Sequence, residues 1–192
     1  MHEKTLREIQ NRVKNYLAEG RIQTKQKPEF VDFFLSHSIN FLTSARAEYK
    51  LSTNPKESLR LGFSDYNGLI VVVNSSYYSM FNMARALLES SGIKIRTELS
   101  IHSVTYDALV HFFLVTRKLE KKLIESFSIS MLESAELMGR DRAGQIMQEY
   151  LYEKKKRAMF TYKMGSNLVQ AKAKTSLDRA IGFSDTLRGM IE

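Results

Sequence analysis

The sequence predicts an all-α fold, an up-and-down bundle of four to five helices with an extra helix at the N-terminus. Three observations lead to this prediction. The 192 residues include only two prolines. Strong helix formers fill long segments in which apolar residues recur every three or four positions. The sparse glycines stand between these segments, so we expect helices joined by short loops and packed as antiparallel neighbours.

The first two predicted helices flank a polar linker. The helix at about 2–18 carries an apolar face and ends before Gly20, and residues 21–27 are polar. Pro28 suits the first turn of a second helix that continues to about Leu51. We therefore expect an N-terminal helical extension at 1–27 and the bundle at 28–192. The inward residues are predicted to be Leu6, Ile9, Val13 and Leu17 in the first helix, and Phe30, Phe33, Phe34, Phe41, Leu42 and Ala45 in the second.

The third helix has the clearest pattern, from about Asp65 as N-cap to Ser91. Gly92 follows, where a left-handed residue commonly ends a helix. The β-branched run at 70–73 resembles a strand, but the helical pattern continues through it without a turn signal. Its inward residues are predicted to be Leu69, Val72, Val73, Tyr77, Met80, Phe81, Ala84 and Leu88.

The remaining helices follow at shorter intervals. Ser100 is a candidate N-cap for a fourth helix with Val104, Ala108, Leu109 and Phe112 inward. A polar helix is predicted from about Glu120 to Gly139, and a basic helix over about 143–162. The last helix ends near Met190 and keeps Leu177, Ala180, Ile181 and Leu187 at helical spacing.

Composition and charge exclude several classes of site. The sequence has no cysteine, which excludes disulfides, thiolate metal sites and cysteine nucleophiles. It shows no metal-ligand spacing and no glycine-rich phosphate loop, so no cofactor is expected. No apolar run is long enough to cross a membrane, so we expect a soluble, cytoplasmic protein. A net charge of +8 favours anionic partners such as nucleic acid, nucleotides or an acidic protein, although lysines also serve solubility alone.

Residues 77–88, with the sequence YYSMFNMARALL, resemble a helix of the HEPN family (higher eukaryotes and prokaryotes nucleotide-binding). Gly92, the pair His102 and Ser103, the run RAMFTY at 157–162, and the pattern from Ala180 to Phe183 are similar to further elements of that family. The resemblance covers about 30–188. It implies a helical bundle that is usually dimeric and often works with a minimal nucleotidyltransferase partner. It also implies that many members are toxins of toxin–antitoxin pairs, which cleave RNA without a metal.

The resemblance implies an Arg followed, after four to six residues, by a His in the nuclease members of the family, with two such motifs meeting across the dimer. Here Arg157 is in place, but Tyr162 stands where the His is expected. A tyrosine is a poor base at neutral pH, so the nuclease motif is degenerate. Arg96 and His102 have the required spacing elsewhere, although His102 equally suits a hydrogen-bonding residue at a helix start. The candidate catalytic residues are therefore Arg157, Tyr162 and His102.

Two groups of residues are candidates for binding RNA or a nucleotide. Lys154, Lys155, Lys156 and Arg157 make the late helix basic, with Tyr150, Phe160 and Tyr162 as stacking surfaces or, alternatively, as core residues. The third helix carries a polar stripe that would be a plain surface, a dimer seam or a cleft wall, and we favour the last two. The stripe consists of Asn74, Tyr78, Asn82 and Arg85.

Three hypotheses follow. The first is a HEPN-type nucleotide- or RNA-binding module, acting as a homodimer with a nucleotidyltransferase partner. The second is a metal-independent toxin ribonuclease that uses Arg157, Tyr162 and His102. The third is a helical interaction scaffold without a nucleic-acid role. The Tyr162 replacement favours the first hypothesis over the second.

Overall fold

The computed structural model describes residues 3–97, 100–137 and 166–192, which form a mostly helical bundle. The predicted all-α fold is therefore confirmed. The described α-helices are α1 (Glu3–Ala18), α2 (Val31–Thr53), α3 (Pro55–Arg60), α4 (Leu69–Ser90), α5 (Ile101–Leu109), α6 (Lys121–Leu137) and α7 (Ser166–Arg188). Two short strands, β1 (Ile22–Gln23) and β2 (Lys94–Ile95), pair with each other. No described helix is long and apolar enough to cross a lipid bilayer.

Helix α4 lies at the centre of the bundle. All eight residues predicted to face inward from it are buried, and so are most residues on its other sides, including Ser75, Ser76 and Ser79. The helix begins at Leu69, so the prediction of Asp65 as its N-cap is wrong. Ser52 at the end of α2 accepts the backbone N–H of Gly68 at 2.8 Å, which fixes the chain just before the first helical turn.

The C-terminal end of α4 matches the prediction for Gly92, which has φ +70°. The N–H of Gly92 donates to the carbonyl of Glu89 at 3.0 Å, and the N–H of Ile93 donates to the carbonyl of Leu88 at 2.9 Å. These two bonds satisfy carbonyls that the helix end leaves without intrahelical partners. The chain therefore turns sharply into β2.

Residues 21–27 are more than a linker. Ile22 and Gln23 form β1, which pairs antiparallel with β2 in the register Ile22 to Ile95 and Gln23 to Lys94. Ile22 is buried in the core, and so is Ile95, its partner in β2. The polar composition of the segment concealed the strand, since only one of its residues is strongly apolar.

The N-terminal helix shares the core of the bundle. Ile9 and Val13 are fully buried, while Leu6 and Leu17 are partly buried against the same core. Arg12 of α1 forms a bidentate ion pair with Asp107 of α5, at 2.7 and 2.9 Å. Residues 3–18 are therefore packed into the fold.

Helix α2 begins at Val31, after Pro28, and runs antiparallel to α4, because Ser38 contacts Ser79 and Ser52 contacts Gly68. Leu42 and Ala45 are buried as predicted. Phe30 and Phe33 were predicted to face inward, and this is wrong, since their side chains are 49% and 52% exposed. The buried face is set by Ser38, Leu42 and Ala45, and Phe33, five residues before Ser38 at about 100° per residue, points roughly 140° away from Ser38.

The later helices complete the bundle. Helix α5 starts after Ser100, whose side chain makes no cap bond, and continues into a π-helical turn at Val110–Leu114. Helices α6 and α7 run antiparallel, with Arg179 donating to Glu133 at 2.7 Å and Ser176 to the same carboxylate at 2.9 Å. The predicted inward residues Val104, Ala108, Leu109, Leu177, Ala180 and Leu187 are buried, whereas Phe112 and Ile181 are partly buried. The predicted helix end at Gly139 and the basic helix at 143–162 lie outside the described residues.

Candidate functional site

The predicted polar stripe of α4 does not form one open surface. Asn74 accepts a hydrogen bond from Ser134 of α6 at 2.8 Å. Asn82 is buried and donates to the carbonyl of Tyr78 in its own helix at 2.8 Å. The ring of Tyr78 stacks on Phe41 of α2, with centroids 5.4 Å apart. Asn74 and Tyr78 therefore join α4 to neighbouring helices, and Asn82 is buried within the bundle.

Arg85, the fourth member of the stripe, differs from the other three. It is half-buried, and its guanidinium carbon lies 4.6 Å from the centre of the Phe34 ring. Among the described residues, no carboxylate comes within ion-pair distance of this guanidinium, and no hydrogen bond reaches it. Burial lowers the pKa of Arg85, an effect that the charge of Glu89 opposes. An arginine stays charged in proteins, so α4 carries a partly desolvated cation with unused donors.

Arg85 borders a cavity of about 290 Å³ between the start of α2, the last turns of α4 and β2; we call it the Arg85 cavity. Its aromatic wall consists of Phe30, Phe33 and Phe34. Its charged wall consists of Arg85, Glu89, Lys94 and Arg96. Three cations and one carboxylate therefore line it, and the local field favours an anion.

The acidic residue in this wall is already engaged. Glu89 is buried, and one of its carboxylate oxygens accepts the backbone N–H groups of Glu29 and Phe30 at 3.0 and 3.3 Å. The ammonium of Lys94 lies 3.8 Å from the same carboxylate and donates to Glu29 at 2.6 Å. This hydrogen bond lowers the pKa of Glu29. The network attaches the chain before α2 to the end of α4, and it gives the Glu89 carboxylate partners within the protein.

Arg96 completes the cation set from the end of β2. Its backbone N–H donates to the carbonyl of Arg21 at 2.8 Å, which extends the strand pairing by one residue. Its exposed side chain makes a long contact, 3.4 Å, to Gln23. The spacing in the sequence suggested Arg96 only as a partner for His102. It did not predict that Arg96 lines the Arg85 cavity.

His102 packs against the aromatic residues of α4. Its Nδ1 lies 2.6 Å from the hydroxyl of Tyr77, and its ring centre is 4.5 Å from that of Phe81. Tyr77 is buried, so the imidazole is held in a fixed orientation at the start of α5. This geometry agrees with a hydrogen-bonding residue at a helix start and equally provides a positioned imidazole beside the run at 77–88.

Five of the predicted site residues have no described geometry. They are Lys154, Lys155, Lys156, Arg157 and Tyr162, which lie outside the described residues. Within the residues that the structure describes, no group of three or more His, Cys, Asp or Glu side chains is placed to hold a metal ion.

Comparison with protein-family models, with curated proteins and with solved structures gave no match for this chain. The site is therefore interpreted from its own geometry.

Proposed function

We propose that this chain is a HEPN-type module that binds RNA or nucleotides, acting in the cytoplasm as a homodimer with a nucleotidyltransferase partner. One observation carries the binding function. Arg85, on the helix that resembles the family, is a half-buried cation that pairs with no carboxylate of the described residues, and its cavity is also lined by Arg96 and three phenylalanines.

The chemistry of this arrangement suits a nucleotide. A guanidinium presents several N–H donors in a plane and binds phosphate oxygens through paired hydrogen bonds. Exposed aromatic rings stack on nucleobases without regard to sequence. The net charge of +8 adds a long-range attraction for polyanions.

The homodimer proposal is supported by apolar side chains that the bundle leaves exposed around α3 and the start of α4. They are Leu59, Leu61, Phe63, Ile70 and Val71, all between 45% and 67% exposed. Surface of this kind commonly takes part in association. Light scattering of a concentrated sample should give about twice the mass of 22.2 kDa, and a monomer at every concentration contradicts the dimer.

A metal-independent ribonuclease is the second candidate, and the hydrogen bond between Tyr77 and His102 favours it. This bond orients an imidazole, which exchanges protons near neutral pH and could act on a ribose hydroxyl. The replacement at Tyr162 weighs against it, because the family position for the second catalytic group lacks a histidine.

The test of the binding function is the affinity of the full chain for a labelled single-stranded RNA across a salt series. Binding through phosphates should weaken steeply as salt rises, since each phosphate contact releases a counterion. A peptide nucleic acid of the same sequence, which lacks phosphates, is the matched control and should not bind. Absent binding at low salt, or binding that salt does not change, would support the scaffold hypothesis. The same samples, incubated with EDTA, report whether the RNA is cleaved.

A further inference from the structure

We propose that the Arg85 cavity binds one nucleoside phosphate unit, with the phosphate held by Arg85 and Arg96 and the base stacked on Phe33. The unit is either a free nucleotide or one nucleotide of an RNA strand, since both present the same chemistry. This inference rests on the proposed function, and it adds the place and the size of the ligand.

The size of the cavity limits the ligand to one unit. Its volume of about 290 Å³ is just below the range for small-molecule sites, roughly 300–1,000 Å³. A folded RNA helix cannot enter such a space, whereas a single nucleotide of a flexible strand can.

The charge of the cavity selects an anion. Three lining residues are cationic and one is acidic, and that acid, Glu89, is occupied by two backbone N–H groups and by Lys94. Lys94 is in turn held by Glu29. Within the described part of the chain, neither Arg85 nor Arg96 pairs with a carboxylate, and Arg96 makes only the long contact to Gln23, so an entering phosphate would meet guanidinium donors that remain available.

The aromatic wall selects a planar group beside the anion. Phe34 lies under the guanidinium of Arg85 and keeps this cation in place. Phe33 stands at 78° to Phe34, with its ring centre 5.3 Å away, and half of its side chain is exposed. The Phe33 ring also packs on His37, with ring centres 4.1 Å apart, so only its exposed part is open to a ligand. An inorganic anion would not contact that exposed part, and a neutral aromatic molecule would not pair with the two arginines. A nucleoside phosphate satisfies both walls.

The experiment is calorimetric titration of the full chain with four probes: AMP, adenosine, inorganic phosphate and phenyl phosphate. AMP should bind at least about tenfold more tightly than adenosine or phosphate, because only AMP uses both the charged and the aromatic walls. Phenyl phosphate that binds as tightly as AMP would overturn the assignment to a nucleotide, since its ring is not a base.

Two variants and two matched controls locate the site. Arg85→Gln should weaken AMP binding by about 10- to 100-fold, and Phe33→Leu by roughly tenfold. Arg60→Gln removes an exposed arginine that pairs with Glu57, and Val115→Ala shortens an exposed apolar side chain outside both the cavity and the proposed dimer surface; neither should change the affinity. Unchanged circular dichroism and thermal midpoints establish that Arg85→Gln and Phe33→Leu are folded.

A competition experiment distinguishes the two sources of the ligand. If AMP displaces a short single-stranded RNA, the cavity accepts a nucleotide of the strand; if AMP binds without displacing it, the cavity accepts the free nucleotide. Both outcomes support the proposal. RNA binding without any AMP binding, and unchanged in Arg85→Gln and Phe33→Leu, overturns this inference and leaves the proposed function standing. Absence of binding to RNA and to AMP alike overturns both.

Discussion

Replacement of Arg12 by methionine should destabilise the fold strongly, although the Arg12 side chain is itself partly exposed. The Arg12 guanidinium binds both carboxylate oxygens of Asp107, at 2.7 and 2.9 Å. The Arg12 side chain is 40% exposed, whereas that of Asp107 is 3% exposed. Methionine preserves much of the packing of the arginine stem but leaves a carboxylate buried without its cation.

The expected loss follows from this asymmetry. Removing one partner of a buried ion pair costs about 3–5 kcal/mol, and the partial exposure of Arg12 places the cost near the lower end, about 3 kcal/mol. For a domain of this size that lowers the thermal midpoint by about 6–12 °C. Asp107→Asn should cost less, because an unpaired Arg12 can still reach water. The matched control is Arg7→Met on the same helix, whose pair with Glu3 is 3.8 Å long and exposed on both sides, and it should cost less than about 0.5 kcal/mol.

The pH dependence gives a second check on the same substitution. Burial raises the pKa of Asp107 above its ordinary value, and the hydrogen bond and charge of Arg12 oppose that rise without cancelling it. The same pairing raises the pKa of Arg12, but for the carboxylate the cost of burial is larger than the gain from the pair. The folded state therefore binds a proton on Asp107 more readily than the unfolded state, and this group favours folding more as the pH falls. Without Arg12 the pKa rises further, so the deficit of Arg12→Met should be largest at neutral pH and shrink in mild acid.

Urea denaturation followed by circular dichroism at both pH values measures this deficit. A loss no greater than that of Arg7→Met would refute the argument from burial. A deficit that is the same at neutral and mildly acidic pH would show that the lost contact is packing and not charge.

Three further predictions concern separate parts of the chain. Gly92→Ala should lower the free energy of unfolding, measured in urea, by more than about 1–2 kcal/mol, because the new Cβ would lie 2.8 Å from the carbonyl oxygen of Gln26 and alanine disfavours a positive φ. Gly20→Ala is the control, since Gly20 has a similar φ and open space around it and should show the backbone cost alone. Equal losses in the two variants would contradict the effect of the Gln26 contact. Glutamine at 154–156 should lower RNA affinity and flatten its salt dependence without moving the thermal midpoint; unchanged salt dependence would exclude these lysines. The wild-type protein should not cleave RNA in the presence of EDTA, and Tyr162→Phe should bind RNA as tightly as wild type. Robust cleavage by the wild type that is lost in Tyr162→Phe would instead favour the ribonuclease hypothesis.

The sequence predicted the centre of the fold best, because periodicity is strongest where a helix is buried. The inward residues of α4 and the left-handed Gly92 at its end are confirmed. The weaker predictions were those that inferred burial of a side chain from its residue type alone. Ser38, for example, is buried because its hydroxyl donates to the carbonyl of Ser79 at 2.9 Å, and Ser79 lies 3.3 Å from Ser184 of α7. These small polar residues let three helices approach closely, which a hydrophobicity pattern does not register.

The same inference from residue type is the reason that the sequence did not predict the Arg85 cavity. Phe33 was predicted to face the core because it is aromatic, but the face of α2 set by Ser38 and Leu42 turns it outward. Arg85 was identified from its helical spacing with Asn74, Tyr78 and Asn82. Those three residues have partners inside the bundle, whereas Arg85 borders the cavity. The cavity combines residues 30–34, 85–89 and 94–96, and only the folded chain brings these segments together.

The contacts of Glu89 explain why Arg85 pairs with no carboxylate in the described part of the chain. A carboxylate four residues after an arginine on a helix is placed to pair with it, so Arg85 and Glu89 would be expected to neutralise each other. In the structure the carboxylate turns instead to the backbone N–H groups of Glu29 and Phe30, which need an acceptor before α2 begins. Lys94 then balances the charge of Glu89 from the strand. The contacts that attach α2 to α4 thus hold Phe33 and Phe34 beside Arg85, and the Glu89 carboxylate acts on Arg85 only through its charge and not through an ion pair. Glu89 therefore holds the chain before α2 in place and does not pair with Arg85. In the proposed complex, a phosphate of the ligand would accept the hydrogen bonds of Arg85.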